Sequence, residues 1–167
     1  MFIYTSPSMG GASLTVAYRN HVAAGAESMT DFAIAVSPEN IEGLTLGAAM
    51  SNNTIATNVD SDESTMYATY ATGGFTVGVQ LSDLDHTTTN SDQESMAYGI
   101  TYAVNDDMSI GYSYHELETE STTDADQEST GISASYTMGG MTLAGATNDV
   151  SNMKGNSAAA SDVEGYE

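Results

Sequence analysis

The sequence predicts an all-β fold, an antiparallel, up-and-down sheet of about ten strands that forms part of a transmembrane β-barrel. Short segments throughout the chain alternate apolar and polar residues, which is the period of a strand with two different faces. The connections between these segments alternate between tight turns and long stretches rich in acids, Thr, Ser and Asn. Two unlike ends are typical of a barrel with short periplasmic turns and longer extracellular loops.

The strands of the first half are predicted by taking every second residue. Segment 12–19 places Leu, Val and Tyr on one face and Ser, Thr, Ala and Arg on the other. Segments 31–37 and 44–51 alternate in the same way, and segment 65–72 follows the pattern less strictly. A short strand at 2–6 precedes them.

The second half shows the clearest alternation. Segment 75–82 carries Phe, Val, Val and Leu on one face and Thr, Gly, Gln and Ser on the other. The remaining predicted strands are 96–102, 108–115, 131–138, 141–147 (less regular) and the opening of another at 164. The polar faces hold small neutral residues, which suit a wet interior better than a solvated outer surface.

Connections of two kinds link these segments. Tight turns rich in Gly, Asn and Asp are predicted at 8–11, 39–43, 73–74, 105–107 and 139–140. Long connections are predicted roughly at 20–29, 52–64, 84–95, 117–128 and 148–164. Glu-Ser pairs at 27–28, 63–64, 94–95 and 128–129 form a weak repeat with spacings of 36, 31 and 34 residues. Each pair is interpreted as the point where a long connection meets a strand.

The composition excludes several classes of protein. Two basic and 23 acidic residues give a net charge of −21, so nucleic acid is not an expected partner. The acids are expected mostly in the long connections, with nearly neutral strands. The chain has no Cys, which excludes disulfides and thiolate metal sites. Its longest apolar runs have the length of a strand, far below the ~18 residues of a transmembrane helix.

Three stretches resemble the general diffusion porins of Gram-negative outer membranes. They are Ile-Tyr-Thr-Ser-Pro-Ser-Met-Gly-Gly at 3–11, Glu-Ser-Met-Ala-Tyr-Gly-Ile-Thr-Tyr at 94–102 and Glu-Gly-Tyr-Glu at 164–167. The resemblance covers essentially the whole chain. It implies that residues 1–167 are one partial barrel domain, equivalent to strands six to sixteen of about sixteen. The N-terminal strands, the constriction loop, most of the last strand and a signal peptide are then expected to lie outside it.

The resemblance also implies a function and partners. It predicts passive diffusion of small hydrophilic solutes and ions through a water-filled pore in the bacterial outer membrane, with no enzymatic activity and no cofactor. It further implies a homotrimer in contact with outer-membrane lipid and lipopolysaccharide. Acids at the pore mouth predict a bias towards cations.

Four residues of the predicted polar faces are candidates for lining the pore: Arg19, Asp31, Gln80 and His115. Arg19 is interpreted as a residue of the pore mouth or of the interface. The alternative is that it faces acids on the constriction loop, as basic wall residues do in the resembling family. For the other three, contact with solute is weighed against the simpler role of a hydrated wall residue.

Other chemistry has weak support in the sequence. His21, His86 and His115 lack the paired spacing of a metal site. The acidic groups at 60–63 and 124–128 resemble oxygen-ligand clusters, but they lack the Gly and final Glu of an EF-hand loop. Such groups are interpreted as solvated loops, or as weak binding sites for divalent cations that bridge loops or lipopolysaccharide. Two alternatives remain open: an acidic, β-rich surface adhesion protein with weak Ca²⁺ binding, and a narrow barrel that serves as an anchor or a lipid-modifying enzyme.

Overall fold

The computed structural model describes residues 1–20, 28–56, 59–88, 91–120, 125–158 and 161–166. They form one antiparallel sheet in which each strand pairs with the next along the chain. The strands are β1 (Phe2–Thr5), β2 (Ala12–Arg19), β3 (Ser28–Val36), β4 (Leu44–Ala56), β5 (Val59–Thr72), β6 (Phe75–His86), β7 (Gln93–Ala103), β8 (Met108–Thr119), β9 (Gln127–Met138), β10 (Met141–Ser151) and β11 (Val163–Tyr166). A 3-10 turn, Met153–Gly155, lies between β10 and β11.

This architecture confirms the predicted up-and-down meander. Within the described residues the sheet is open, since β1 and β11 each pair with one neighbour only. In the same part of the chain, no helix is long and apolar enough to cross a membrane.

The tight turns lie where the sequence predicts them. Thr72 and Phe75 are directly paired, so the Gly73-Gly74 turn between β5 and β6 has two residues. Gly73 has φ 55° and Gly74 has φ 84°. Two successive positive φ angles favour glycine, and they match the right-handed twist of the flanking strands. The glycine pair at 139–140 makes the same kind of turn between β9 and β10.

The predicted long connections are wrong in extent, because the strands continue into them. β4 and β5 pair over the stretch expected to be a loop at 52–64, and only residues 57 and 58 separate the two strands. Strands β6 to β10 likewise extend several residues past the predicted ends. The ladder is held by backbone hydrogen bonds, so it can persist where the side chains are polar. Alternation of apolar residues detects only the part of a strand that carries an apolar face.

The two faces of the sheet differ in exposure, and the face with the large apolar side chains is the more exposed one. Along β4 and β7 the apolar side chains are mostly the exposed ones, and the small polar residues between them are partly covered. Met50 is 62% exposed, and Ile132 on β9 is exposed to the same degree. We call these two surfaces the apolar face and the polar face. The greater crowding of the polar face indicates that the sheet curves towards it.

The described residues form no hydrophobic core that could stabilise this sheet. The only buried apolar side chain among the described residues is Ala17. The accessible surface is 11057 Å², whereas a compact soluble protein of this mass would expose roughly 7,900 Å². An apolar face of this size is not stable against water. A nonpolar solvent such as a bilayer accommodates such a face, because the inner strands are hydrogen-bonded to a neighbour on each side.

Candidate functional site

The polar face is the candidate functional surface. Strand alternation and register place its residues in rows that run across neighbouring strands. One such row lies towards the strand ends that are joined by the tight turns. It contains Gly78 and Gly99, which are directly paired, and Ser113 on β8, which pairs with Gly99. These residues have little or no side chain, so this part of the wall is smooth and wettable.

Two carboxylates lie on the polar face nearer the other ends of the strands. Asp31 on β3, Ser51 on β4 and Glu63 on β5 form one row, with Ser51 opposite both acids. Asp31 and Glu63 are therefore two strand spacings apart, about 10 Å. All three residues line an open trough of about 850 Å³.

Neutral donors hold both carboxylates in place. The Ser51 hydroxyl donates to Asp31 Oδ1 at 2.6 Å. The Asn53 amide nitrogen donates to Glu63 Oε1 at 3.3 Å. Hydrogen bonds of this kind orient a carboxylate without neutralising it. This part of the wall therefore holds two acidic groups in fixed positions beside the trough.

Gln80 and His115 lie together at mid-height on the same face. The row runs from Tyr67 on β5 through Gln80 and Ala97 to His115 on β8. Gln80 and His115 both line a second open trough of about 500 Å³. Gln80 also donates from its amide nitrogen to the Ser82 hydroxyl at 3.2 Å.

Arg19 is an exposed residue at the end of β2, paired with Met29. Asp31 pairs with Ala17, so Arg19 is the diagonal neighbour of Asp31 on the polar face. The structure thus places all four predicted residues on one face. It groups Arg19 with Asp31 and Gln80 with His115.

Tyr67 is a wall residue that the sequence pattern missed. It pairs with Gly47, and a Cβ added at Gly47 would lie 2.2 Å from the Tyr67 ring. The ring therefore lies directly over the glycine, in the space that a side chain there would need. Tyr67 and Tyr70 have opposite parity, so only one of them can face outward, and this conflict weakened the predicted alternation in segment 65–72.

We expect Gly47→Ala to destabilise the protein by about 1–3 kcal/mol, because the Tyr67 ring must move away from the added methyl group. Tyr67→Ala in the same background should recover most of that loss, which a double-mutant cycle of urea unfolding in lipid vesicles would measure. Gly78→Ala is the matched control, since the nearest atom to its added Cβ is Thr69 Cγ2 at 3.4 Å. Equal losses in the Gly47 and Gly78 variants would contradict this role of Gly47.

Most strand carboxylates lie on the opposite, apolar face, beyond the end of its apolar stretch. This outward acidic belt comprises Asp60, Asp62, Asp83, Asp85, Glu94, Glu116, Glu118, Glu128, Asp149 and Glu164. The expectation of nearly neutral strands, with the acids mostly in the long connections, is therefore wrong. The charged residues follow the ladders that continue past the apolar stretch.

The acidic group at 60–63 does not converge on one point. Asp62 pairs with Asn52 and Asp85 on the outward side, whereas Glu63 lies in the inward row. In the part of the chain that the structure describes, no group of three or more His, Asp or Glu side chains could hold a metal ion. His21 and Asp124 lie outside the described residues.

Glu63 is the second residue that the sequence pattern missed. The weak Glu-Ser repeat suggested equivalent positions, but Glu63 faces inward while Glu94 and Glu128 face outward. The odd parity that Glu63 shares with Thr65, Tyr67 and Thr69 is the signal that could have identified it.

Comparisons with known proteins agree with this architecture. A family described as Gram-negative porin matches residues 1–156. No curated protein sequence matches the chain. An anion-selective porin from Comamonas acidovorans has a similar structure, with a TM-score of 0.74 and 14% identity over 89% of this chain and 48% of that one. OmpT folded in vitro, an outer membrane protein of Vibrio cholerae, gives a TM-score of 0.69 and 16% identity over 96% of this chain and 57% of that one.

These structural likenesses establish the fold, an outer-membrane porin barrel. The chain spans about half the length of the solved structures it resembles. The sheet of eleven strands therefore corresponds to part of their barrels.

Proposed function

The chain belongs to the Gram-negative porin family of the bacterial outer membrane, and from that premise we propose that it conducts small hydrophilic solutes and ions by passive diffusion. The sheet would form part of a closed barrel, with residues 1–167 as one partial domain of it. Its apolar face would contact lipid and its polar face would line a water-filled pore.

One observation carries this proposal, namely the inverted exposure of the two faces. Large apolar side chains are exposed on one side, while small neutral residues such as Gly78 and Gly99 form the other. Outer-membrane barrels of this type have a wet interior and a dry exterior. An adhesion protein that works in water would expose the same apolar face to solvent at a large cost.

We further propose that the pore favours cations. Asp31 and Glu63 would place fixed negative charge on the wall, and Gln80 and His115 would contact passing solute lower down. The anion-selective porin of Comamonas acidovorans shares the fold at only 14% identity, so its selectivity need not be this chain's. Charges on the wall, rather than the fold, set the sign of the bias.

The proposed activity needs no cofactor and no catalytic residue, so we propose a channel and not an enzyme. Lipid would cover the apolar face, and lipopolysaccharide would meet the outward acidic belt. A homotrimer is proposed from the family, and one OmpT structure of Vibrio cholerae is described as a trimer form.

Planar-bilayer recording tests this function. The protein purified from outer membranes should give stepwise, ohmic conductance that rises with salt concentration. In a KCl gradient, the reversal potential should have the sign expected for cation preference. Absence of channels in correctly inserted protein would refute the pore, and a reversal potential of the opposite sign would refute only the cation preference.

A further inference from the structure

Residues 152–155, which follow β10, fold back over the sheet instead of extending away from it. The 3-10 turn among them, Met153–Gly155, contacts β9 and, beyond it, β8. Since β8 is two strands away from β10, this turn lies over the neighbouring strands and not in line with β10. Gly155 is buried in this arrangement.

Gln127 identifies the face that the segment crosses. The backbone nitrogen of Lys154 donates to Gln127 Oε1 at 2.9 Å. Gln127 pairs with Leu117, which lines the same trough as Asp31 and Glu63. Residues paired in register share a face. The segment therefore lies on the polar face, beside the acidic trough.

Several contacts hold the segment in this conformation. The Asn152 side chain donates to the Asp126 carbonyl at 3.0 Å, and its backbone nitrogen donates to Asp162 Oδ1 at 3.1 Å. Asn152 and Lys154 are also the only non-glycine residues with positive φ among those described. Such backbone conformations persist where surrounding contacts enforce them, and they concentrate at functional positions.

Lys154 is one of only two basic residues in the chain, and this turn holds it, exposed, on the polar face. We propose that Lys154 is a specificity-determining residue of the pore. Its ammonium group opposes the negative potential of the acidic wall and so limits the preference for cations. The inference rests on the proposed pore function and adds to it a positively charged element outside the strands.

Charge substitution tests this role. In bilayers at 0.1 M KCl, Lys154→Glu should raise the cation-to-anion permeability ratio about fivefold, because it changes the local charge by two units and each unit charge roughly 8 Å from the ion path is worth a factor of about two in water. The change should shrink at 1 M KCl, where the Debye length is about 3 Å. Lys154→Arg, the control, should leave the ratio unchanged. An unaltered ratio in Lys154→Glu channels of normal conductance would overturn the proposal.

Thiol labelling tests the location without relying on selectivity, and the chain's lack of Cys makes it feasible. Lys154→Cys channels should change current when a charged methanethiosulfonate reagent is added, and a positively charged reagent should restore the wild-type permeability ratio. Asp106→Cys, in the turn between β7 and β8, is the control and should respond less. Labelled Lys154→Cys channels with unchanged current would place the segment outside the pore. If the wild-type protein forms no channels at all, the proposed function fails instead.

Discussion

Replacing Ile100 by arginine is expected to cost about 2–4 kcal/mol of stability in the membrane. Ile100 lies on the apolar face of β7 and is 41% exposed without lipid. Two aromatic pairs bracket it along the strand. Tyr98 stacks on Tyr114 with ring centroids 5.0 Å apart, and Tyr102 stacks on Phe75 at 4.3 Å. Ile100 thus lies near the middle of the apolar stretch, where a guanidinium is furthest from water.

Thr101→Arg is the matched control because it lies one residue away on the opposite face. Its side chain would extend into the proposed pore, so the change in stability should stay within about 0.5 kcal/mol. Urea unfolding of the membrane-inserted protein in lipid vesicles would measure both variants. Equal losses of stability in the two variants would mean that both faces contact the same solvent. That result would refute the proposed orientation of the sheet.

Removing the two inward carboxylates should abolish most of the cation preference. The variant Asp31→Asn with Glu63→Gln keeps the shape of the wall and the hydrogen-bonding atoms nearby. A unit charge roughly 8 Å from an ion in water contributes about 0.5 kcal/mol. Two such charges contribute about 1 kcal/mol together, which predicts a fall of about fivefold in the cation-to-anion permeability ratio at 0.1 M salt.

The outward acidic belt offers a control with the same change in net charge. Glu94 and Glu118 are directly paired on the apolar side of the sheet. Glu94→Gln with Glu118→Gln should leave the reversal potential near the wild-type value, because neither residue lines the trough of Asp31 and Glu63 and the barrel wall separates both charges from the pore. A larger shift from the outward pair than from the inward pair would show that the mouth, rather than Asp31 and Glu63, sets selectivity.

Much of the fold could be predicted from local pattern. The period of two in segments such as 75–82 follows from strand geometry alone, so the assignment of Phe75 and Gln80 to opposite faces needed no partner strand. Turn positions were equally local, since a Gly-Gly pair supplies the positive φ angles of a two-residue hairpin. The same logic placed Arg19, Asp31, Gln80 and His115 on the polar face.

The parts that sequence reasoning missed depend on pairing between distant residues. Where β4 and β5 end is decided by whether polar segments find hydrogen-bond partners across the sheet. Tyr67 packs on Gly47 only because the register of β4 and β5 places the two residues opposite each other. Lys154 reaches the polar face through Gln127, 27 residues earlier.

The sequence by itself therefore determined which side of each strand is apolar and which is polar, since alternation is a property of the extended backbone. Only the tertiary structure decided how far the ladders run, which carboxylates face inward, and where the β10–β11 connection lies. Those features are set by register and by long-range hydrogen bonds, which no local pattern encodes.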